Sequence, residues 1–221
     1  MNPDVKYTPP ADQGLELLYQ DEHLLVVNKP AGLLSVPGRG VDKQDSLISR
    51  VQREFEDALI VHRLDMATSG LLVLARDALS HRALSMQFQQ RQVSKEYVAV
   101  VYGVPVEKGG LIDLPLITDW PNRPKQIVDF INGKASQTRY RILDTDSVQK
   151  RSRLSLMPIT GRTHQLRVHC QFLGYPIVGD RLYAPMELSQ VEDRLLLHAQ
   201  RLGFTHPHSD EALSFYLPAD F

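Results

Sequence analysis

An α+β fold, built on a mixed, predominantly antiparallel sheet flanked by helices and loops, is predicted by three features of the 221-residue chain. Short apolar runs recur along it without the regular strand–helix alternation that marks a parallel sheet. Only a few segments carry helical spacing. No internal repeat, low-complexity tract or Gly/Ser linker divides the chain, so one domain is the economical reading, and a length above about 150 residues can bury one large core.

Residues 15–19 and 24–28 read as strands joined by the turn Gln20-Asp21-Glu22-His23, and Lys29-Pro30-Ala31-Gly32 ends the second. Asp45 is suited to cap a helix whose apolar positions Leu47, Ile48, Val51 and Phe55 share a face. Residues 71–75 form a continuous apolar run, the mark of a buried strand, and 77–90 follow with helical spacing at Leu79, Ala83, Leu84 and Phe88. Residues 97–102 are again a buried-strand candidate. Between 111 and 125, Pro115, Pro121 and Pro124 oppose any long regular element. Residues 154–157 predict a strand. Thr163 then caps a helix through Leu173, with Leu166, Cys170 and Leu173 on one face and Gly174 and Pro176 as its stop. Residues 195–197 and 213–217 are late strands, and 1–14 form a polar, proline-bearing tail ahead of a domain over 15–221.

The chain carries 25 basic and 26 acidic side chains, which excludes a protein that holds nucleic acid by bulk attraction. The distribution is uneven. Residues 1–60 hold 6 basic and 10 acidic groups, 61–120 hold 6 and 6, 121–169 hold 10 and 3, and 170–221 hold 3 and 7. The segment of net +7 is where an anionic partner would dock. A single cysteine, Cys170, cannot form an intramolecular disulfide, and no apolar stretch has the length of a signal peptide core or a membrane span. A soluble, monomeric, cytoplasmic protein without membrane attachment is the expectation.

Two runs concentrate chemistry. Val61-His62-Arg63-Leu64-Asp65-Met66-Ala67-Thr68-Ser69-Gly70 lies between an apolar run and a buried strand, which makes it a loop; loops on a rigid sheet commonly carry catalytic groups. Asp65, Thr68, Ser69 and Gly70 equally suit an ordinary tight turn, and composition does not choose between the two readings. The second run, Thr160-Gly161-Arg162-Thr163-His164-Gln165-Leu166-Arg167-Val168-His169, opens a helix, where free backbone N–H groups and a guanidinium can meet an anion, either a phosphate or a carboxylate of the chain. Arg162 and Arg167 can also be solvated surface charges. His62, His164, His169 and His198 invite a metal reading, but i and i+5 lie about 140° apart on a helix and no HExxH or Cys pair is present, so no metal is expected. His198, inside Leu195-Leu196-Leu197-His198-Ala199, is most simply a core residue.

His62-Arg63-Leu64-Asp65 with Thr68-Ser69-Gly70-Leu71-Leu72-Val73, and Arg162-Thr163-His164-Gln165-Leu166-Arg167-Val168-His169 about a hundred residues later, together resemble the RluA-type pseudouridine synthases. Asn28-Lys29-Pro30 with Gly32 is similar to the family's first motif, and Lys95-Glu96-Tyr97 to its tyrosine-bearing strand. Asp113-Leu114-Pro115-Leu116, Asp119-Trp120-Pro121-Asn122-Arg123-Pro124-Lys125-Gln126 and the ending Pro218-Ala219-Asp220-Phe221 are similar to the short, dual-specificity branch that modifies 23S ribosomal RNA and tRNA. The first motif arrives at Lys29, which leaves no room for the S4-like RNA-binding domain of larger relatives.

The resemblance implies a single pseudouridine-synthase domain with an active-site cleft across the sheet. It implies Asp65 as the catalytic aspartate, Tyr97 as the active-site aromatic, and Arg162 as the arginine paired with that aspartate. Lys29, His62, Arg63, Arg123, Lys125 and Arg167 are the expected substrate-binding residues, with Arg63 filling the gap left by a flipped base. The family reaction uses neither metal nor cofactor: uracil is detached from ribose, turned and rejoined through carbon. Two other readings stand beside it. One is a non-catalytic RNA-binding protein on the same fold, and the other is a metal-dependent hydrolase that uses the histidines.

Overall fold

Continuous apolar runs become buried strands, and the polar segments between them become turns. The computed structural model describes residues 7–221. In chain order its elements are β1 (Leu17–Gln20), β2 (Leu24–Lys29), a 3-10 turn (Val41–Lys43), α1 (Leu47–Val51), β3 (Leu59–Ile60), β4 (Ser69–Ala75), α2 (Ala78–Gln89), β5 (Ser94–Tyr102), β6 (Gly109–Asp113) and β7 (Leu116–Thr118). There follow β8 (Gln126–Val128), β9 (Gln137–Asp146), β10 (Arg151–Pro158), α3 (Gln165–Phe172), α4 (Met186–Ser189), β11 (Leu197–Thr205) and β12 (Ala212–Tyr216). The α+β class expected from the sequence is the class observed. Of the expected 1–14 tail, residues 1–6 lie outside the described residues; within the rest, Tyr7 is buried and its hydroxyl donates to the Asp45 carbonyl at 3.1 Å.

The chain forms two compact units. One comprises 7–95 and Ala199–Asp220, the other Glu96–His198 with Phe221, so the chain passes between them inside β5 and inside β11. In the first unit the sheet order is β1-β2-β4-β11, with β3 beside β4 and β12 beside β11. β2 and β4 pair antiparallel from Leu24↔Ala75 to Lys29↔Gly70. Leu24, Val26, Leu71, Val73 and Ala75 meet Leu84 of α2 and Leu202 and Phe204 of β11 in the core. Asp77 caps α2 by accepting from the Ser80 amide at 2.8 Å.

In the second unit the order is β5-β10-β9-β6, with each neighbouring pair antiparallel. β7 and β8 form a separate hairpin, and Leu116, Val168 and Tyr183 form a small core beside it. Cys170 of α3 is buried, and burial pushes its thiol up to about 12, so it is an inert apolar group.

Three local expectations change. The cap of α1 is Ser46, which forms a reciprocal capping box with Ser49, while Asp45 instead holds the Arg50 guanidinium with two hydrogen bonds of 2.8 Å. That helix ends at Val51, before Phe55. The residue at the head of α3 is His164 in a left-handed conformation, φ 54°, and not Thr163. The 111–125 stretch holds no long element, as its prolines imply: only the end of β6 and the three-residue β7 fall in it. β9 does not read as an apolar run: most of its exposed positions are charged or polar, Arg139, Arg141, Asp144, Thr145 and Asp146 among them, and it is held by pairing to β10 and β6.

Candidate active site

The loop that carries Asp65 is pinned on both sides of that residue. Ser35 Oγ donates to the Leu64 carbonyl at 2.7 Å and accepts from the Leu64 amide at 3.1 Å. On the other side the Met66 carbonyl accepts from the Gly32 amide at 2.8 Å and from Lys29 Nζ at 3.1 Å. The Thr68 amide closes a turn onto the Asp65 carbonyl at 3.1 Å. Gly70 ends the loop at φ 112°, where a Cβ would sit 2.4 Å from the Ala199 carbonyl oxygen, so only glycine permits this close passage of β4 by β11. The half-buried Asp65 side chain is therefore presented from a backbone with little freedom, and Arg63, two residues earlier, is exposed.

Lys29 was expected to bind substrate, and its placement corrects that. The residue is 0 % exposed, and its ammonium donates to the carbonyls of Pro30 at 2.9 Å, Leu33 at 2.8 Å and Met66 at 3.1 Å. A buried cation is tolerated because its three N–H donors meet carbonyl oxygens, and what it does is tie the first motif to the residue after Asp65. The signal was available in the sequence: Leu25, Val27 and Lys29 alternate along one strand, so Lys29 continues a buried face.

His62, expected at the substrate, is half-buried and held by the fold. Its Nε2 accepts from the Val73 amide at 3.1 Å, and its ring stacks on Phe88 with centroids 4.4 Å apart. Burial, with the positive charge of Lys95 second, holds it down at about 3. It is a neutral packing group. The unfolded chain takes up this proton near pH 6.5, whereas the folded chain resists it until near 3. Its stabilising contribution is therefore complete above 6.5 and is lost as pH falls through that window. Wild-type protein is expected to lose urea midpoint more steeply between pH 7 and pH 4.5 than His62→Gln, whose amide oxygen can still accept from Val73. Equal slopes in the two proteins would contradict this assignment.

Tyr97 and Arg162 belong to the second unit. Tyr97 is half-buried on β5, opposite Leu156 of β10. Arg162 follows β10 and is exposed; its Nε donates to the Ala135 carbonyl at 3.3 Å. Its backbone is set by Gln165, a buried amide that sequence reading did not single out. Gln165 Oε1 accepts from the Arg162 amide at 3.0 Å and from the Thr160 hydroxyl at 2.7 Å. Gln165 Nε2 donates to the Gln137 carbonyl and to Thr138 Oγ1, both at 3.0 Å. All four hydrogen-bonding positions of the amide are used, which fixes the turn that presents Arg162.

Arg167 was the other expected anion ligand. The structure instead buries it to 5 % exposure and pairs it bidentately with Asp180, Nε to Oδ2 at 2.8 Å and Nη2 to Oδ1 at 2.7 Å. Asp180 Oδ1 also accepts from the amides of Leu182 and Tyr183 at 3.0 and 3.2 Å. The turn so formed delivers Tyr183, whose hydroxyl lies 2.7 Å from His164 Nδ1 and accepts from the Gln126 amide at 2.8 Å. Arg167 thus acts through Asp180 and Tyr183. Tyr183 links the start of α3 to the base of the loop that holds Arg123 and Lys125. Arg123 is exposed and Lys125 half-exposed on that loop.

Of the histidines considered as ligands, His169 is buried between Thr138 Oγ1 at 2.9 Å and the Leu114 carbonyl at 3.2 Å, and His198 is buried as a core residue. Among the described residues, His23, Asp77 and His208 do gather. The rings of His23 and His208 stack at 3.5 Å with 13° between their planes, which keeps their in-plane lone pairs from converging on one ion.

A family model described as RNA pseudouridylate synthase matches residues 23–172. The dual-specificity RNA pseudouridine synthase RluA of Escherichia coli (strain K12) is 52% identical over 215 residues, covering 97% of this chain and 98% of that protein. The protein of the same name from Vibrio cholerae serotype O1 is 49% identical over 216 residues, 98% of this chain and 87% of its own. Among solved structures, human RNA Pseudouridylate Synthase Domain Containing 1 superposes with a TM-score of 0.80 at 29% identity, covering 97% of this chain and 87% of that chain. The match spans both pinned loops, that of Asp65 and that of Arg162, and the chain belongs to the RNA pseudouridylate synthase family, whose reaction is the isomerisation of uridine in RNA.

Proposed function

We propose that the protein acts as a monomer in the cytoplasm on two classes of structured RNA, 23S ribosomal RNA and the tRNA anticodon stem-loop, with Asp65 as the catalytic group. Support comes from 52% identity to a relative named for dual specificity, together with an intact His62-Arg63-Leu64-Asp65 motif on a loop locked by Ser35 and Lys29. A carboxylate works as nucleophile or base only when ionised, and enclosure around a substrate would raise its pKa. Arg162 is assigned the opposing charge that keeps Asp65 ionised and oriented. Tyr97 stacks on the uracil. Arg63, exposed beside Asp65, fills the space of the extruded base, a step that costs a few kcal/mol.

The test is tritium release from RNA labelled at uridine C5, with 23S fragments and tRNA assayed separately. Release from both is the expected result. Release from one alone would narrow the substrate to that class, and release from neither would defeat the assignment.

Phosphates are met by the basic segment. Arg139 and Arg141 are exposed on one face of β9, and Lys125 lies on the β7–β8 loop. Neutralising all three to Gln is expected to flatten the dependence of log K on log[salt] by about 2, since each phosphate contact contributes roughly 0.7 for single strands. The free energy of unfolding in urea should stay within about 0.5 kcal/mol of wild type, as for surface changes in general. An unchanged salt slope would show that these cations do not face RNA.

A further inference from the structure

The β7–β8 loop presents a planar pair of side chains, Trp120 and Arg123, at the surface. The loop is shut at its base, where the Asp119 amide donates to the Lys125 carbonyl at 3.0 Å. Inside it, Asn122 donates to Asp119 twice, from its amide to the carbonyl at 3.1 Å and from Nδ2 to the carboxylate at 2.9 Å. Pro121 and Pro124 restrict φ on either side of Asn122 and Arg123. The far end is tied to Tyr183 through the Gln126 amide.

On this fixed loop the Trp120 indole is 64 % exposed, and the Arg123 guanidinium lies over its ring, 4.3 Å from the centroid. Tryptophan gains more from burial than almost any other residue, so a rigid loop that holds one in solvent, with an arginine already stacked on it, suits a ligand with its own π face. Arg123 and Lys125 sit beside it, and 121–169 carries 10 basic against 3 acidic groups, which makes that ligand anionic. An acidic peptide would match the charge and leave the indole without a planar partner. An unpaired nucleobase on its phosphate backbone matches both.

We propose that Trp120 is a stacking platform for an unpaired base of the RNA substrate, with Arg123 bracing the indole and meeting the adjacent phosphate. This rests on the RNA-modifying reading above. A stem-loop offers such a base and a continuous duplex does not, so the contact favours hairpins over paired RNA.

Trp120 is the chain's only tryptophan, and its emission therefore reports the contact directly. Titration of the wild-type protein with a uridine-containing stem-loop RNA is expected to quench that emission, and a fully paired duplex of equal length to leave it nearly unchanged. Trp120→Ala is expected to raise KM for the stem-loop about tenfold, within the range for loss of one base–aromatic stack. Trp120→Phe, which keeps an aromatic face, should recover most of that loss and serves as the test if the alanine variant folds poorly. Equal quenching by stem-loop and duplex, or a wild-type KM in both variants, overturns the platform while leaving the catalytic assignment in place. Stem-loop-selective quenching by a protein that releases no tritium keeps the platform and defeats the catalytic assignment.

Discussion

Asp65→Asn is expected to lower the rate of tritium release by roughly 10³- to 10⁴-fold, the loss typical when a positioned acid–base or nucleophilic group is removed. Asparagine keeps the shape of aspartate and removes only its charge and basicity. The loop should survive the change, because its hydrogen bonds run through Leu64 and Met66 to Ser35, Gly32 and Lys29 and not through the Asp65 carboxylate alone. An unchanged urea midpoint together with lost turnover separates chemistry from folding. Asp65→Glu provides a second arm: it restores the charge but advances the carboxylate by one methylene, and a displacement of about 1 Å costs about 10²-fold in an oriented site. Retention of more than a tenth of the wild-type rate by Asp65→Asn would remove Asp65 from the catalytic role.

Asp180→Ala is expected to cost about 3 to 5 kcal/mol of stability, read as a lowered urea midpoint, because it strands the Arg167 guanidinium in the interior. With total stabilities of about 5 to 15 kcal/mol, such a variant approaches global unfolding. The double variant Arg167→Met/Asp180→Leu removes both charges and should recover part of the loss. Recovery stays incomplete because the Leu182 and Tyr183 amides still lose the Asp180 oxygen that accepted from them. A single-variant cost below about 1 kcal/mol would mean that the pair is solvated after all, at variance with its burial.

These two residues mark how far the chain could be read from its sequence. The loop that carries Asp65 was legible because its motif lies between an apolar run and a buried strand. β2, β4 and α2 were legible because their signals are local: continuous apolar runs for the strands, and Asp77 before a helical spacing for α2. Asp180 was not legible, since its meaning comes from Arg167, and nothing within either neighbourhood names the other. Lys29 was misread for the same reason, being a charge whose partners are carbonyls brought in by tertiary structure. β9 was missed because it owes its strand conformation to hydrogen bonding on both edges and carries arginines outward, which reads as charge and not as a strand. The cap of α1 was misplaced by one residue, since Asp45 and Ser46 are both good caps and only the position of Arg50 decides between them.

The division of the first unit between 7–95 and Ala199–Asp220 sets an order of events during synthesis. β4, which follows directly on the Asp65 loop, has β11 as a sheet neighbour, and residues 96–198 must be made before β11 exists. Until then one long edge of β4 stands open, with the Gly70 passage waiting for Ala199. Residues 96–198 of the second unit can fold as they emerge, whereas the unit bearing Asp65 completes afterwards, through pairing across a wide sequence separation. A nascent chain stalled before residue 199 would therefore hold the Arg162 turn and lack the β11 neighbour against which β4 and the Asp65 loop are completed.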